Sequence, residues 1–148
     1  MMRRIHPVAG GIALATILLF WTSTVAAEAF GDGALVARVK TAILWGMLVL
    51  VPAMATVGAT GFRLAGRAQA PRIRAKKRRM PVIALNGLLV LLPCAVFLQA
   101  RAAAGLFDTA FVAVQALELA AGALNITLMS LSMRDGLALA RGRRPAAG

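Results

Sequence analysis

The sequence is poor in the residues from which most active sites are built. Among 148 residues there is one histidine, one cysteine and no tyrosine, and five acidic side chains face 17 basic ones. A lone cysteine gives neither a disulfide framework nor a zinc pattern, and Cys94 falls inside an apolar run, away from other ligand types. No nucleophile and base pairing, metal-ligand cluster or glycine-rich phosphate loop is present, so the expectation is a protein that is not an enzyme, holds no metal and needs no cofactor. Charge is scarce as well. With 15% charged and 60% hydrophobic residues, a chain of this length is unsuited to fold as a soluble globule.

What is plentiful is uninterrupted apolar sequence. A hydrocarbon core about 30 Å thick is crossed by roughly 20 helical residues at 1.5 Å each. Four segments reach that length: Val8 to Ala27, Thr41 to Phe62, Met80 to Ala100 and Thr109 to Met133. The first three contain no charged residue, and the fourth contains only Glu118. These runs lack the alternation of barrel strands, and short connections make successive helices antiparallel neighbours. The prediction is an all-α membrane protein, a single domain built as an up-down bundle of four transmembrane helices.

A net charge of +12 suggests nucleic acid until the charges are sorted along the spans. Basic residues concentrate at the N-terminus (Arg3, Arg4), in the segment 63–79 and in the tail (Arg134, Arg141, Arg143, Arg144), whereas the opposite side has Arg38, Lys40 and Arg101. The Lys/Arg excess marks cytoplasmic loops, so both termini and the basic loop 63–79 are expected inside. Arginine outnumbers lysine, and alanine and glycine are abundant, a bias that hints at a bacterial source and hence an inner membrane. Within the loop, Arg72, Arg74, Lys76, Lys77, Arg78 and Arg79 read first as topogenic and second as contacts for anionic lipid headgroups, and Pro71 stops a helix from running through. No aromatic residue is interleaved there to stack on bases, so no nucleic-acid partner is expected.

The start of the chain also resembles a secretory signal, with Met1 to Pro7 as the basic region, Val8 to Trp21 as the apolar region and Val25-Ala26-Ala27 as a cleavage site. The apolar run continues to a full spanning length, which favours a retained first helix. The first outer connection, Glu28 to Lys40, contains the turn signal Gly31-Asp32-Gly33. Asp108 before Thr109 is a predicted N-cap for the last helix. Trp21 and Trp45 are read as interface anchors near outer span ends, and Pro52 and Pro93 as kinks.

The fourth span carries the most information. Asp108, Phe111, Gln115, Glu118, Gly122, Asn125 and Met129 recur at steps of three and four and share one face, which is expected to turn away from lipid. Glu118 lies deep in the span, where an ionised carboxylate is costly unless paired or hydrated. Two readings compete. Either Glu118 is a proton or ion site, or Gln115, Glu118 and Asn125 are interhelical glue, with partners such as Asn86, Gln99, Thr24, Glu28, Thr56 and Thr60. No basic residue is expected beside Glu118 in the core, so neutral hydrogen bonds or its own proton must stabilise it. On the first span, His6, Gly10, Ile17, Trp21, Thr24 and Glu28 form a stripe. His6 is a candidate axial ligand for a haem b, with Met80, Met133 or a second His6 opposite, against the plainer reading of an interfacial side chain before Pro7. Small residues at Ala55, Gly58, Ala59, Gly61 and Ala65 suit close helix packing, either internal or against another membrane protein.

Three stretches, "HPVAGGIALATILLFWTST", "KKRRMPVIALNG" and "LELAAGALNITLMSLSMRDGL", resemble an uncharacterised group of small four-span bacterial inner-membrane proteins. The resemblance covers most of the chain and implies the four-helix architecture. It brings no activity, cofactor or functional residue. Taken together, the residues favour a non-catalytic subunit or accessory factor that associates with other membrane proteins or with itself. The alternatives are a proton-linked small transporter or channel using Glu118, and a haem electron carrier using His6.

Overall fold

The computed structural model describes residues 2–65 and 71–141, excluding the side chains at 2–4, 62, 64, 65, 72, 76, 140 and 141. Every regular element among the described residues is helical: α1 (Met2–Phe30), α2 (Gly33–Ala65), α3 (Pro71–Asn86), a π turn (Gly87–Leu91), α4 (Leu92–Ala103) and α5 (Thr109–Arg141). The α3, π turn and α4 stack into one continuous rod. Four helical stretches are long and apolar enough to cross a membrane: Ile5–Phe30, Gly33–Gly61, Ile73–Ala103 and Thr109–Leu139.

The helices are longer than the apolar runs alone indicate, because their caps lie outside those runs. Asp32 caps α2: its Oδ1 accepts the Leu35 amide at 2.7 Å and its carbonyl accepts that of Val36 at 3.0 Å. The expected connection from Glu28 to Lys40 therefore shrinks to Gly31 and Asp32, and Arg38 and Lys40 become helical residues. Asp108 caps α5 as predicted, accepting the Phe111 amide at 3.1 Å. Before it, α4 ends in a Schellman turn, with Gly105 at φ +70°, its amide bonded to the Ala102 carbonyl and the Leu106 amide to that of Arg101. Arg101 pairs with Asp108 across this turn.

The basic segment also differs from expectation. Pro71 does not sit inside an open loop; it begins α3, where a missing amide proton costs nothing, and the residues up to Arg79 form the first turns of that helix. Residues 66–70 and the side chains of Arg72 and Lys76 lie outside the described part. Further along the rod, the π turn ends two residues before Pro93, and the Leu92 amide reaches back to the Gly87 carbonyl. Pro93 cannot donate to the residue four before it, and its ring crowds that carbonyl; a wider turn there accommodates both effects. Pro52 leaves α2 continuous.

Successive rods run antiparallel: His6 near the start of α1 bonds Thr60 near the end of α2, Gln99 late in α4 reaches Thr41 early in α2, and Arg79 in α3 pairs with Asp135 late in α5. The rods also close into a ring, since α5 packs on both α1 and the α3–α4 rod. One end, the turn end, carries the Gly31-Asp32 and 104–108 connections; the other, the terminal end, carries the start of α1 and the end of α5. Two apolar clusters fill the interior. Ala27, Val36, Leu98, Ala102 and Phe111 pack near the turn end, and Ala13, Ile17, Leu50, Ile83, Leu91, Ala121 and Met129 fill the remainder. Between the clusters along α1, α2 and α5 lies a layer of buried polar residues: Thr24, Lys40 and Gln115.

Candidate functional site

That polar layer is built from three helices. Lys40 enters from α2, about 10 Å beyond Gly33 at 1.5 Å per residue, and is 1% exposed. Its ammonium donates to Glu118 Oε2 on α5 at 2.5 Å. Gln115 Nε2, one helical turn before Glu118, donates to the same oxygen at 3.1 Å. The expectation that no basic residue accompanies Glu118 is thus corrected. By apolar run alone Lys40 falls at the mouth of an outer loop, whereas the Asp32 cap starts α2 early enough to bury it. Glu28 on α1 and the buried Cys94 on α4 are the further titratable groups within electrostatic range of both members of the pair.

Two acceptors in this layer remain unused among the described residues. Gln115 Oε1 is buried with no hydrogen-bond partner. Glu118 accepts both of its bonds on Oε2, so Oε1 receives none. The Glu118 side chain keeps 12% of its surface, and it forms part of the wall of a cavity of about 280 Å³ between the helices. The cavity is bounded by Phe20, Trp21 and Thr24 of α1, by Met47, Leu50 and Met54 of α2, by the π turn, and by Glu118, Gly122 and Asn125 of α5. Among the described residues, Glu118 is the one charged residue in its lining.

The polar face predicted on α5 points inward. Phe111, Gln115, Gly122, Asn125 and Met129 are all buried. Trp21, expected at an interface, instead donates its indole N–H to the Leu119 carbonyl at 3.0 Å, and Gly122 makes room for its ring. Trp45 is 70% exposed and lies about 18 Å along α2 from Gly33, nearer the middle of that span than either end. Below the cavity, Asn86 donates to Asn125 Oδ1 and to the Ala121 carbonyl, both at 2.9 Å, while Asn125 reaches the Ile83 carbonyl at 3.4 Å. These two asparagines tie α3 to α5. Thr56 bonds within α2, to the Pro52 carbonyl.

At the terminal end, His6 Nδ1 and Thr60 Oγ1 are 2.9 Å apart. The ring of His6 and the side chain of Met80 both crowd Gly61, so the structure brings this histidine and this methionine together. Neither they nor Met133 line the cavity. Among the described residues, no group of three or more His, Cys, Asp or Glu side chains could hold a metal. In the basic segment, Arg79 is committed to Asp135 at 2.7 Å, Arg74 and Arg78 are exposed, and Lys77 is half-buried.

Lys40 and the Arg79–Asp135 pair are the interactions that sequence reasoning missed. A signal for Lys40 exists: Val36, Lys40, Ile43, Met47, Leu50 and Met54 follow one another at steps of four and three, placing the lysine on the inward stripe of α2. Comparison with protein-family models, curated proteins and solved structures finds no match.

Proposed function

We propose that this chain is a non-enzymatic, multi-pass protein of a bacterial inner membrane, with both termini cytoplasmic, and that it works as a small proton-linked transporter through Glu118. The observation that carries this reading is the Lys40–Glu118 pair, enclosed within the spans, whose carboxylate member also forms part of the wall of a cavity. Stability alone is a poor reason to keep such a pair. At an effective dielectric of 20, two charges 4 Å apart attract by about 4 kcal/mol, while removing each ion from water costs several kcal/mol. A well-packed apolar pair would hold the helices as firmly. Ionisable groups inside a membrane accordingly mark ion or proton pathways.

The alternative, a non-catalytic accessory subunit, draws little support from α5's polar face, which is used within the chain. A related reading keeps support from a different surface. Of the four spans, α2 buries the smallest share of its apolar stretch. Ala55 and Ala59 are exposed on α2, offering small residues for close approach by a second copy or another membrane protein.

The test is reconstitution in proteoliposomes with an internal pH dye. A proton gradient is expected to dissipate through the wild-type protein and not through Glu118→Gln, with both variants equally helical and monodisperse. Equal flux through the two proteins would remove Glu118 from the mechanism.

A further inference from the structure

The cavity and the charges around it specify the class of molecule that this site would take. We infer that the substrate is a small lipophilic monocation, held in the cavity with its charge on Glu118 and its apolar part against Phe20, Trp21 and Met47. The inference deepens the transport reading and rests on it.

Size sets the first limit. A cavity of about 280 Å³ accommodates roughly ten to fourteen non-hydrogen atoms at interior packing density, which is small for a ligand pocket. Chemistry sets the second. The lining is overwhelmingly apolar, so the bulk of the ligand must be apolar too. Charge sets the third. Lys40 is absent from the lining and Glu118 is present, so a ligand meets the carboxylate and not the ammonium. Glu118 Oε1 takes no hydrogen bond from a described residue and is available to a donor or cation.

Aromatic placement supports the same class. Phe20 and Trp21 both line the cavity, and the indole is held in position by its bond to Leu119 and its contact with Gly122. These rings supply apolar walls for the non-polar part of a cation whose charge rests on Glu118. A second acceptor lies ready when the ligand arrives: Gln115 Oε1, buried and without a partner, adjoins the pair and can take a hydrogen bond from the Lys40 ammonium as the incoming cation shares the carboxylate.

Benzyltrimethylammonium has the required size and a charge that no proton transfer can remove, and neopentylbenzene is its neutral isostere. Each is titrated into the protein in lipid nanodiscs, in a Trp45→Phe background that leaves Trp21 as the sole indole reporter. The expected result is a saturable change in Trp21 emission with the cation, at least tenfold tighter than with the isostere, and loss of that preference in Glu118→Gln. A second variant, Gly58→Leu, fills part of the cavity where nothing lies within 4 Å of an added Cβ; it should weaken cation binding at least tenfold and carries the test if Glu118→Gln fails to fold. Equal affinity for cation and isostere, a preference that survives Glu118→Gln, cation binding indifferent to Gly58→Leu, or no saturable change at all would each overturn the inference. Glu118-dependent proton flux without cation binding refutes the ligand and spares the transport reading, whereas cation binding with flux indifferent to Glu118→Gln does the reverse.

Discussion

Replacing Lys40 with methionine removes one partner of the buried pair while keeping much of its volume. The carboxylate of Glu118 would then keep Gln115 as its one donor among the described residues, at 3.1 Å, in a setting where Lys40 is 1% and Glu118 12% exposed. Breaking a buried pair from one side costs about 3–5 kcal/mol, because the stranded charge keeps its desolvation penalty. In a membrane the unfolded reference also holds this carboxylate near apolar surroundings, and snorkelling relieves part of the cost there; the expected loss is at the lower limit, about 3 kcal/mol. That corresponds to roughly a hundredfold change in the unfolding equilibrium. The double variant Lys40→Met with Glu118→Leu removes both charges and is expected to recover the wild-type stability or exceed it. Reversible unfolding in mixed detergent and SDS micelles, followed by far-UV circular dichroism, gives all four corners of the cycle. A Lys40→Met loss within about 1 kcal/mol, the range of exposed pairs, or a double variant less stable than either single one, would refute the reasoning.

Other contacts give further expectations. Asn125→Leu leaves the Asn86 amide with the Ala121 carbonyl alone and removes the bond from Asn125 to the Ile83 carbonyl; it should cost about 1–2 kcal/mol in the same assay, near the upper range for interhelical hydrogen bonds in membranes, and no measurable loss would mean that the asparagines do not couple α3 to α5. Gly46→Ala would place a Cβ 2.5 Å from the Phe20 ring, an overpacking expected to cost about 1–3 kcal/mol and to be relieved by Phe20→Leu, so additive losses in the pair would count against this packing. The Asp108 carboxyl, outside the spans, is held below its usual range chiefly by the Phe111 amide, against an opposing effect of desolvation and with Arg101 adding to the lowering. A lowered folded value means that its contribution to α5 is present above the ordinary carboxylate range and fades as pH falls through the lowered value. Asp108→Asn should flatten that acid limb of stability, and an unchanged limb would assign it to another group.

The four spans were legible in the sequence because lipid imposes a one-dimensional rule: about 20 apolar residues per crossing. The inward face of α5 was legible for a related reason, since Gln115, Glu118 and Asn125 recur at helical spacing and lipid offers them no hydrogen bond. The helix ends were less so. An apolar window stops at the first charge, yet α2 begins at Gly33, eight residues before Thr41 by the chain numbering, because Asp32 supplies its cap. In the same way the basic residues after Pro71 form helix, since neither arginine nor lysine opposes it and proline suits the first turn.

The early start of α2 bears directly on the candidate site. Placing Lys40 at a loop mouth made it one of three positive charges on the outer side, a marker of topology; placing it seven positions inside α2, on the stripe Val36, Lys40, Ile43, Met47, makes it the counterion of Glu118. The two roles draw on different physics. A topogenic charge acts during insertion and tolerates movement by a residue or two, whereas a buried counterion must keep its helical register, since a shift of one residue rotates it by about 100° away from α5. The register of Lys40 relative to Asp32 therefore separates the roles: deleting one residue between them should preserve insertion and orientation while breaking the Lys40–Glu118 pair, and flux that survives such a deletion would return Lys40 to topology alone.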